Sequence, residues 1–161
     1  MLAILWKARL CGTATSCGCS ATEEIWSMLG DTSEPSGQKT VLIVEDNELN
    51  LKLLKDILEY HGYTTLTTEL GELALELARQ HRPDLILMDI QLPDISGMEA
   101  TRRLKADEQT RTIPIIAVTA FAMSGDEVKI LASGCDAYVS KPFNVVAFLK
   151  LVEHWTTVNR A

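Results

Sequence analysis

The segment LILMDIQLPDISG, residues 85–97, joins an apolar run to a polar loop. Leu85 to Met88 are apolar, Asp89 ends the run, and the loop that follows contains a proline and a glycine. A short apolar run bounded by turn residues is typical of a strand buried on both faces of a parallel sheet. Such a strand has no obvious need of a carboxylate at its last position. The role of Asp89 therefore depends on which other residues reach the same place.

From Lys39 onward, a strand pattern followed by a helix pattern occurs five times. The predicted strands cover 40–44, 63–68, 85–89, 113–120 and 136–140. The first predicted helix is capped by Asp46 or Asn47 and stops at Gly62, and the others cover 71–81, 98–107, 124–134 and 145–155. Five such units predict a parallel sheet with helices on both faces and right-handed crossovers.

Hydrophobicity predicts the order of the strands. Strands one, three and four are apolar throughout, whereas the second, YTTLTT, is half polar and suits an edge. The most apolar strands belong in the middle, which gives the order 2-1-3-4-5. The predicted fold is α/β, a flavodoxin-like doubly wound (βα)5 sandwich. In such a sheet, ligands bind at the carboxyl ends of the strands, at the switch point between strands one and three.

Composition narrows the function classes. The 161 residues are 47% hydrophobic and 23% charged, as in an ordinary globular domain, and the net charge is −7. An acidic chain is poorly suited to nucleic acid or to an anionic membrane surface. No apolar run approaches the roughly 18 residues of a membrane-spanning helix. We therefore expect a cytoplasmic protein without nucleic-acid binding or membrane insertion.

The first 38 residues differ from the rest of the chain. They lack sustained periodicity, and DTSEPSGQ at 31–38 consists of turn and linker residues. Residues 1–38 are predicted to be a poorly ordered N-terminal extension, and 39–161 to be the domain. Cys11, Cys17 and Cys19 lack the paired C-x-x-C spacing of a zinc site.

Four of the five predicted strands bring a polar group to one edge of the sheet. These groups are Glu45 and Asp46 after strand one, then Asp89, Thr119 and Lys141. Neighbouring strands lie about 4.8 Å apart, so the three acids repel and resist ionisation unless a cation neutralises them. Mg²⁺ fits, because it takes one or two carboxylates and leaves positions for water and a phosphoryl oxygen. In the alternative, Asp46 and Asp89 only cap the helices after them, which leaves the lysine and the threonine unexplained.

Phosphoryl transfer is the chemistry that fits these groups. A carboxylate can act as a nucleophile and form an aspartyl phosphate. The transition state spreads negative charge over three oxygens, so catalysis consists largely of placing positive charge and donors around them. Mg²⁺, the Lys141 ammonium and the Thr119 hydroxyl would complete that shell. Asp89 is then the predicted acceptor, with Glu45 and Asp46 holding the metal.

Four motifs carry a resemblance to a known family. VEDN (44–47), LILMDIQLPDISG (85–97), AVTAFA (117–122) and AYVSKPF (137–143) resemble, in order and spacing, the motifs of response-regulator receiver domains of two-component signalling. The resemblance covers residues 39 to about 155. Within the family, the chain is similar to single-domain regulators of cell division.

The resemblance implies a role for each matching residue. Asp89 becomes the phosphorylated residue, Glu45 and Asp46 the acidic pair with Asp46 the more direct Mg²⁺ ligand, and the carbonyl of Gln91 a further ligand. The family pattern also implies that Phe121 and Gln91 flank the attacking water and tune the lifetime of the phosphoryl group.

The same resemblance implies a two-state switch. Thr119 becomes the switch hydroxyl, Tyr138 the switch aromatic and Lys141 the phosphate-contacting lysine, and the Lys141–Pro142 bond is commonly cis in the family. Phosphorylation is expected to reshape the face formed by helix four, strand five and helix five. Tyr138 could alternatively be ordinary core.

Other proteins are the expected partners. His61, His81 and His154 are predicted to lie away from the strand ends, so the phosphoryl donor must be another protein. Sensor histidine kinases, phosphatases and phosphotransfer proteins are expected, with the chain a monomer or weak dimer. The chain ends soon after the last helix, which predicts output through protein contacts alone.

Two other readings remain open from the sequence. One is a pseudo-receiver that binds partners without phosphorylation. The other is a phosphatase of the haloacid-dehalogenase type, which needs a second aspartate where Gln91 stands. The favoured reading is a signalling receiver that catalyses only its own phosphoryl transfer and autodephosphorylation.

Overall fold

The computed structural model describes residues 38–120 and 126–158. The strands are β1 (Thr40–Val44), β2 (Thr64–Thr68), β3 (Leu85–Asp89), β4 (Ile115–Thr119) and β5 (Ala137–Ser140). The helices are α1 (Glu48–Tyr60), α2 (Gly71–His81), α3 (Gly97–Ala106), α4 (Asp126–Ala132) and α5 (Val145–Val158). Three segments lie outside this range: residues 1–37 with their three cysteines, residues 121–125 with Phe121 and Ser124, and residues 159–161. The N-terminal extension and its boundary at residue 38 therefore stay a prediction.

The strands of the described residues form a single parallel sheet in the order β2-β1-β3-β4-β5. The predicted fold class and strand order are thereby confirmed. Every residue of β3 and β4 is buried, whereas β5 is only half-buried and β2 is partly exposed, as the hydrophobic pattern indicated. Along the strands, side chains alternate between two apolar clusters, one on each face.

Side chains from two loops fix the starts of the helices that matter for the site. Asn47 caps α1, since its side chain accepts the N–H groups of Leu49 and Asn50. Ser96 caps α3 in the same way through Met98 N–H. The alternative in which Asp46 and Asp89 serve only as helix caps is therefore wrong.

Helix α2 has an unusual cap from elsewhere in the chain. Leu70, the residue before it, offers no side-chain hydrogen bond. The Asp94 carboxylate, in the loop between β3 and α3, instead accepts the N–H of Gly71 at 2.9 Å and of Glu72 at 2.8 Å. A carboxylate is a favourable acceptor there because the N–H groups at a helix start carry partial positive charge. The loop that follows Asp89 is thus attached to a second helix.

None of the helices in the described residues has the length and apolar character that crossing a membrane requires.

Candidate functional site

Three carboxylates meet where β1 and β3 end. Val44 and Met88 are register partners, so Glu45, Asp46 and Asp89 emerge side by side. One oxygen of each lies within 4.8 Å of those of the other two. Glu45 is 1% exposed and Asp89 6%, whereas Asp46 is exposed to solvent. Two of the three acids are therefore buried together.

Lys141 lies between the two buried acids. Its Nζ is 2.6 Å from Glu45 Oε2 and 2.7 Å from Asp89 Oδ2. The backbone brings it there, because β4 and β5 pair Thr119 with Ser140, and the next N–H, that of Lys141, donates to the carbonyl of Thr119 at 2.7 Å. The Lys141–Pro142 peptide bond is cis.

The electrostatics of this group reflect burial and close charges. Burial raises the pKa of Glu45, the charge of Asp89 adds to the rise, and the hydrogen bonds from Lys141 and Asn50 oppose it. Burial alone would lower the pKa of Lys141, but its contacts with Asp89 and Glu45 outweigh that and raise it. Lys141 is thus a firmly protonated ammonium between two carboxylates.

The loop after β3 folds tightly around Asp89. Asp89 Oδ1 accepts the N–H of Gln91 at 2.9 Å, and the N–H of Gly97 donates to the carbonyl of Ile90 at 3.0 Å. A Cβ at Gly97 would collide with the carbonyl oxygen of Asp89 and lie 2.9 Å from its carbonyl carbon. The start of α3 therefore has room only for glycine, because its backbone packs directly against the carbonyl group of Asp89.

The residues present fit Mg²⁺. Glu45, Asp46 and Asp89 offer oxygen atoms only, which a hard cation prefers, and they are close enough together to share one ion. They carry more negative charge than Lys141 alone balances. The predicted contribution of the Gln91 carbonyl stays a prediction.

Thr119 and Tyr138 lie at different distances from the acids along their strands. Thr119 is fully buried at the end of β4, one residue beyond Val118, the register partner of Asp89. Tyr138 lies two residues earlier in the sheet, paired with Ala117, and is half-buried. Its hydroxyl bonds the Glu127 carboxylate, which raises the pKa of Tyr138. The structure therefore brings Thr119 to the carboxyl end of the sheet and leaves the Tyr138 hydroxyl at α4.

One residue of the site was missed by sequence reasoning. The Asn50 side chain donates to Glu45 Oε1 at 2.8 Å, so both oxygens of Glu45 have a donor. The available signal was weak: an asparagine three residues after the cap of α1, on the turn that faces the strand end.

Comparison with models of known protein families identifies the family of this chain. The family model described as the response regulator receiver domain matches residues 41–153. The chain belongs to this family of two-component signalling proteins.

Individual relatives narrow the class. The chain is 58% identical over 117 residues to the polar-differentiation response regulator DivK of Brucella anthropi, a match covering 73% of this chain and 95% of that protein. DivK of Brucella ovis matches with the same identity and coverage. The predicted family and the similarity to single-domain regulators of this kind are confirmed.

Solved structures of receiver domains have the same fold as this chain. The receiver domain of sensor histidine kinase PA1611 from Pseudomonas aeruginosa PAO1, with a magnesium ion in its active-site cleft, superposes with a TM-score of 0.70 at 36% identity, covering 74% of this chain and 98% of that one. The receiver domain of a signal transduction histidine kinase from Syntrophus aciditrophicus gives 0.71 at 35% identity, covering 76% and 94%.

Proposed function

We propose that this chain is a phosphorelay response regulator that accepts a phosphoryl group on Asp89 and signals through contacts with other proteins. The observation that carries the proposal is the position of Asp89, a nearly buried carboxylate 2.7 Å from the Lys141 ammonium and close to two further acids. A structural acid needs one partner. This one lies in a group of charges suited to a phosphoryl oxygen.

In the proposed reaction, an oxygen of Asp89 attacks the phosphorus of a phosphohistidine. The new O–P bond forms as the P–N bond breaks, and the imidazole leaves with the electron pair and takes up a proton. Lys141 donates hydrogen bonds to a phosphoryl oxygen while Glu45 keeps its ammonium in place. Thr119 supplies a hydroxyl from the end of β4. Mg²⁺ held by Glu45, Asp46 and Asp89 would add positive charge next to the phosphoryl oxygens.

The donor protein is proposed to dock beside the acceptor. A groove of about 350 Å³ between α1 and the start of α5 is lined by Leu53, Phe143 and Val145, and also by Lys141. Leu49 and Val146, on the same two helices, are 78% and 62% exposed. A sensor histidine kinase or phosphotransfer protein bound here would bring its histidine to Asp89. Phosphatases would need access to the same site.

Output is proposed to run through the face of α4, β5 and α5. The contact between the Tyr138 hydroxyl and Glu127 joins β5 to α4. A phosphoryl group that drew Thr119 toward Asp89 would free space next to Tyr138 and allow the ring to turn inward. Loss of the Glu127 contact would then change the surface that partners bind. Regulation of the cell cycle or of polar differentiation is proposed from the DivK relatives.

The test is labelling by a small phosphodonor. Wild-type protein incubated with acetyl phosphate and Mg²⁺ should gain one phosphoryl group, detected by intact mass, and Asp89→Asn should gain none. Asp84→Asn, at the opposite end of the sheet, is the matched control and should be labelled like wild type. Unlabelled wild type would favour a pseudo-receiver, and steady turnover of a generic phosphate ester would favour a phosphatase.

The signalling part of the proposal has its own test. A pull-down with and without beryllofluoride, a phosphoryl mimic, should recover different partners. Identical partners in both conditions would contradict a phosphorylation-dependent output. The cytoplasmic location, the monomeric or weakly dimeric state and the influence of Gln91 and Phe121 on phosphoryl lifetime stay predictions.

A further inference from the structure

We propose that Asn50 is a positioning residue for phosphoryl transfer: its amide holds the Glu45 carboxylate, and Glu45 in turn holds the Lys141 ammonium beside Asp89. The inference rests on the proposed function and adds a residue outside the acids, hydroxyl and lysine of the site.

Three consecutive contacts link α1 to the acceptor. Asn50 Nδ2 lies 2.8 Å from Glu45 Oε1, Lys141 Nζ 2.6 Å from Glu45 Oε2, and the same Nζ 2.7 Å from Asp89 Oδ2. Glu45 is 1% exposed, so little water is available to replace a lost donor. The orientation of Glu45 therefore depends on both of its partners.

The backbone holds Asn50 in place. It is in the first turn of α1, and its N–H donates to the side chain of the cap residue Asn47 at 3.1 Å. The terminal torsion of a glutamate is broad, so a carboxylate held at one oxygen can still rotate. A second hydrogen bond at Oε1 removes that freedom. Glu45 Oε2 then holds the Lys141 ammonium in one orientation beside Asp89. That orientation matters because a small displacement of a catalytic group slows the reaction that it assists.

The charge of the residue at position 50 also matters. An amide donates without adding charge, so the Glu45 charge stays available to Lys141. A lysine at this position would compete with Lys141 for Glu45, and an aspartate would repel it. Asn50→Lys and Asn50→Asp should both slow phosphorylation more than a neutral replacement does.

The main experiment is a double-mutant cycle on the rate of phosphorylation by acetyl phosphate with Mg²⁺. Asn50→Leu keeps the volume and removes the donor, and it should slow the reaction about tenfold, as expected for 1.4 kcal/mol of lost transition-state stabilisation. In a Lys141→Met background the same change should have less than about a twofold effect, because the ammonium it positions is gone. A tenfold loss in both backgrounds would overturn the proposal.

Lys52→Gly is the matched control on the same helix. The Lys52 side chain pairs with Asp56 at 2.7 Å on the exposed side of α1, so the change loosens the helix without touching an acid of the site. It should lower the urea midpoint, because glycine costs about 1 kcal/mol in a helix interior, and change the phosphorylation rate by less than about twofold. If Lys52→Gly and Asn50→Leu slowed phosphorylation equally, a loosened helix would explain both and the proposal would fail.

A second measurement needs no phosphorylation. In ¹⁵N-labelled wild type, the Lys141 ammonium protons should exchange slowly enough to give a distinct ¹⁵Nζ signal by NMR, since the group is held between two acids. Asn50→Leu should broaden or shift that signal, whereas Lys52→Gly should leave it in place. An unchanged ¹⁵Nζ signal in Asn50→Leu would overturn the inference. A wild-type protein that gains no phosphoryl group from acetyl phosphate, but whose ¹⁵Nζ signal does change in Asn50→Leu, would overturn the proposed function and leave the Asn50 contacts standing.

Discussion

The two ends of the sheet carry the same residue types and use them differently. At the amino ends of the strands, the Asp84 carboxylate accepts the N–H of Thr40 at 2.7 Å, and the Asp136 carboxylate accepts the N–H of Ile115 at 2.8 Å. Each of these acids bonds the first N–H of a neighbouring strand. Asp136 also contacts Lys105 at 2.7 Å. We call this set the amino-end acids.

The carboxyl-end acids are Glu45, Asp46 and Asp89. Only one backbone donor reaches them among the described contacts, the N–H of Gln91, and side chains supply the rest. Among the described residues, no other group of acids or metal-binding side chains is gathered this closely.

The comparison teaches that an acid at a strand end does not by itself indicate chemistry. Asp84 and Asp136 are paired one by one with backbone groups, which stabilises the sheet. The three carboxyl-end acids lie close together, and two of them, Glu45 and Asp89, share Lys141. The repulsion among the three charges destabilises the fold unless a cation or phosphoryl group uses them. The two sets should therefore respond in opposite ways to mutation.

The largest difference is expected between the two lysines. Lys141→Met should slow phosphorylation of Asp89 by about 100-fold, the usual cost of removing one donor to transition-state charge. Lys105→Met should leave the rate unchanged and lower the free energy of unfolding by about 1 kcal/mol. Rates with acetyl phosphate and urea unfolding measure both. Equal rate losses would remove the distinction between the two ends.

The next effect concerns the glycine behind Asp89. Gly97→Ala should destabilise the fold by about 2–3 kcal/mol, because the added methyl meets backbone that cannot move aside easily. It should also slow phosphorylation of the folded protein. Gly62→Ala is the control: nothing lies within 4 Å of its Cβ position and only its φ of +85° is strained, so about 1 kcal/mol is expected with no loss of rate. Similar unfolding curves for the two variants would contradict this.

The amino-end acids should affect stability alone. Asp84→Ala and Asp136→Ala should each lower the free energy of unfolding by about 1–2 kcal/mol, because each leaves a strand N–H without its acceptor. Their phosphorylation rates should match wild type. Asp46→Ala should show the reverse, with unchanged or slightly higher stability and weaker Mg²⁺ dependence, since it removes a repelling charge. A rate loss in Asp84→Ala would break the comparison.

The smallest expected effect is the loss of stability on replacing Asp94, which caps a helix and is not one of the three carboxyl-end acids. The slight desolvation of Asp94 acts to raise its pKa, but the N–H groups of Glu72 and Gly71 outweigh it and hold the pKa below the usual 3.8. Its charge therefore stabilises the fold above pH 3.8 and stops doing so as pH falls through the lowered pKa. Asp94→Asn should cost about 0.5 kcal/mol at neutral pH, a small value because solvent screens this exposed group. Urea midpoints of the two proteins should converge in acid, and a constant gap would contradict the charge effect.

Much of the fold could be predicted because hydrophobic pattern and hydrogen bonding agree. The bounds of β1, α2 and β3 match the prediction residue for residue. Strand four was predicted over 113–120 and spans Ile115–Thr119, because Ile113 is apolar and buried yet bonds back to Thr110 in a turn. Burial alone does not make a residue part of a ladder.

Helix ends were harder, because tertiary contacts decide them. Helix α5 was predicted to stop at residue 155 and continues to Val158. Thr156 and Thr157 bond the carbonyl of Glu153 and receive hydrogen bonds from Lys39, more than a hundred residues earlier. Threonine has a modest helix propensity, so nothing local indicated the extension.

The residues of the site also fall into those that the sequence pattern predicts and those that tertiary contacts decide. The position of Asp89, Glu45 and Lys141 followed from strand order, since parallel strands end at one edge. Asn50 and Asp94 could not be predicted, because each acts through a contact between separate elements. The partners of Asp94, for example, lie 23 and 22 residues away in the chain.

The most direct test of the central claim is to locate the phosphoryl group. Wild-type protein is treated with acetyl phosphate, with Mg²⁺ or with EDTA, then reduced with borohydride, which converts an aspartyl phosphate to homoserine, and mapped by tandem mass spectrometry. We predict homoserine at position 89 alone, and only in the Mg²⁺ sample. Homoserine at position 46, 84 or 136, or equal labelling in EDTA, would contradict the account.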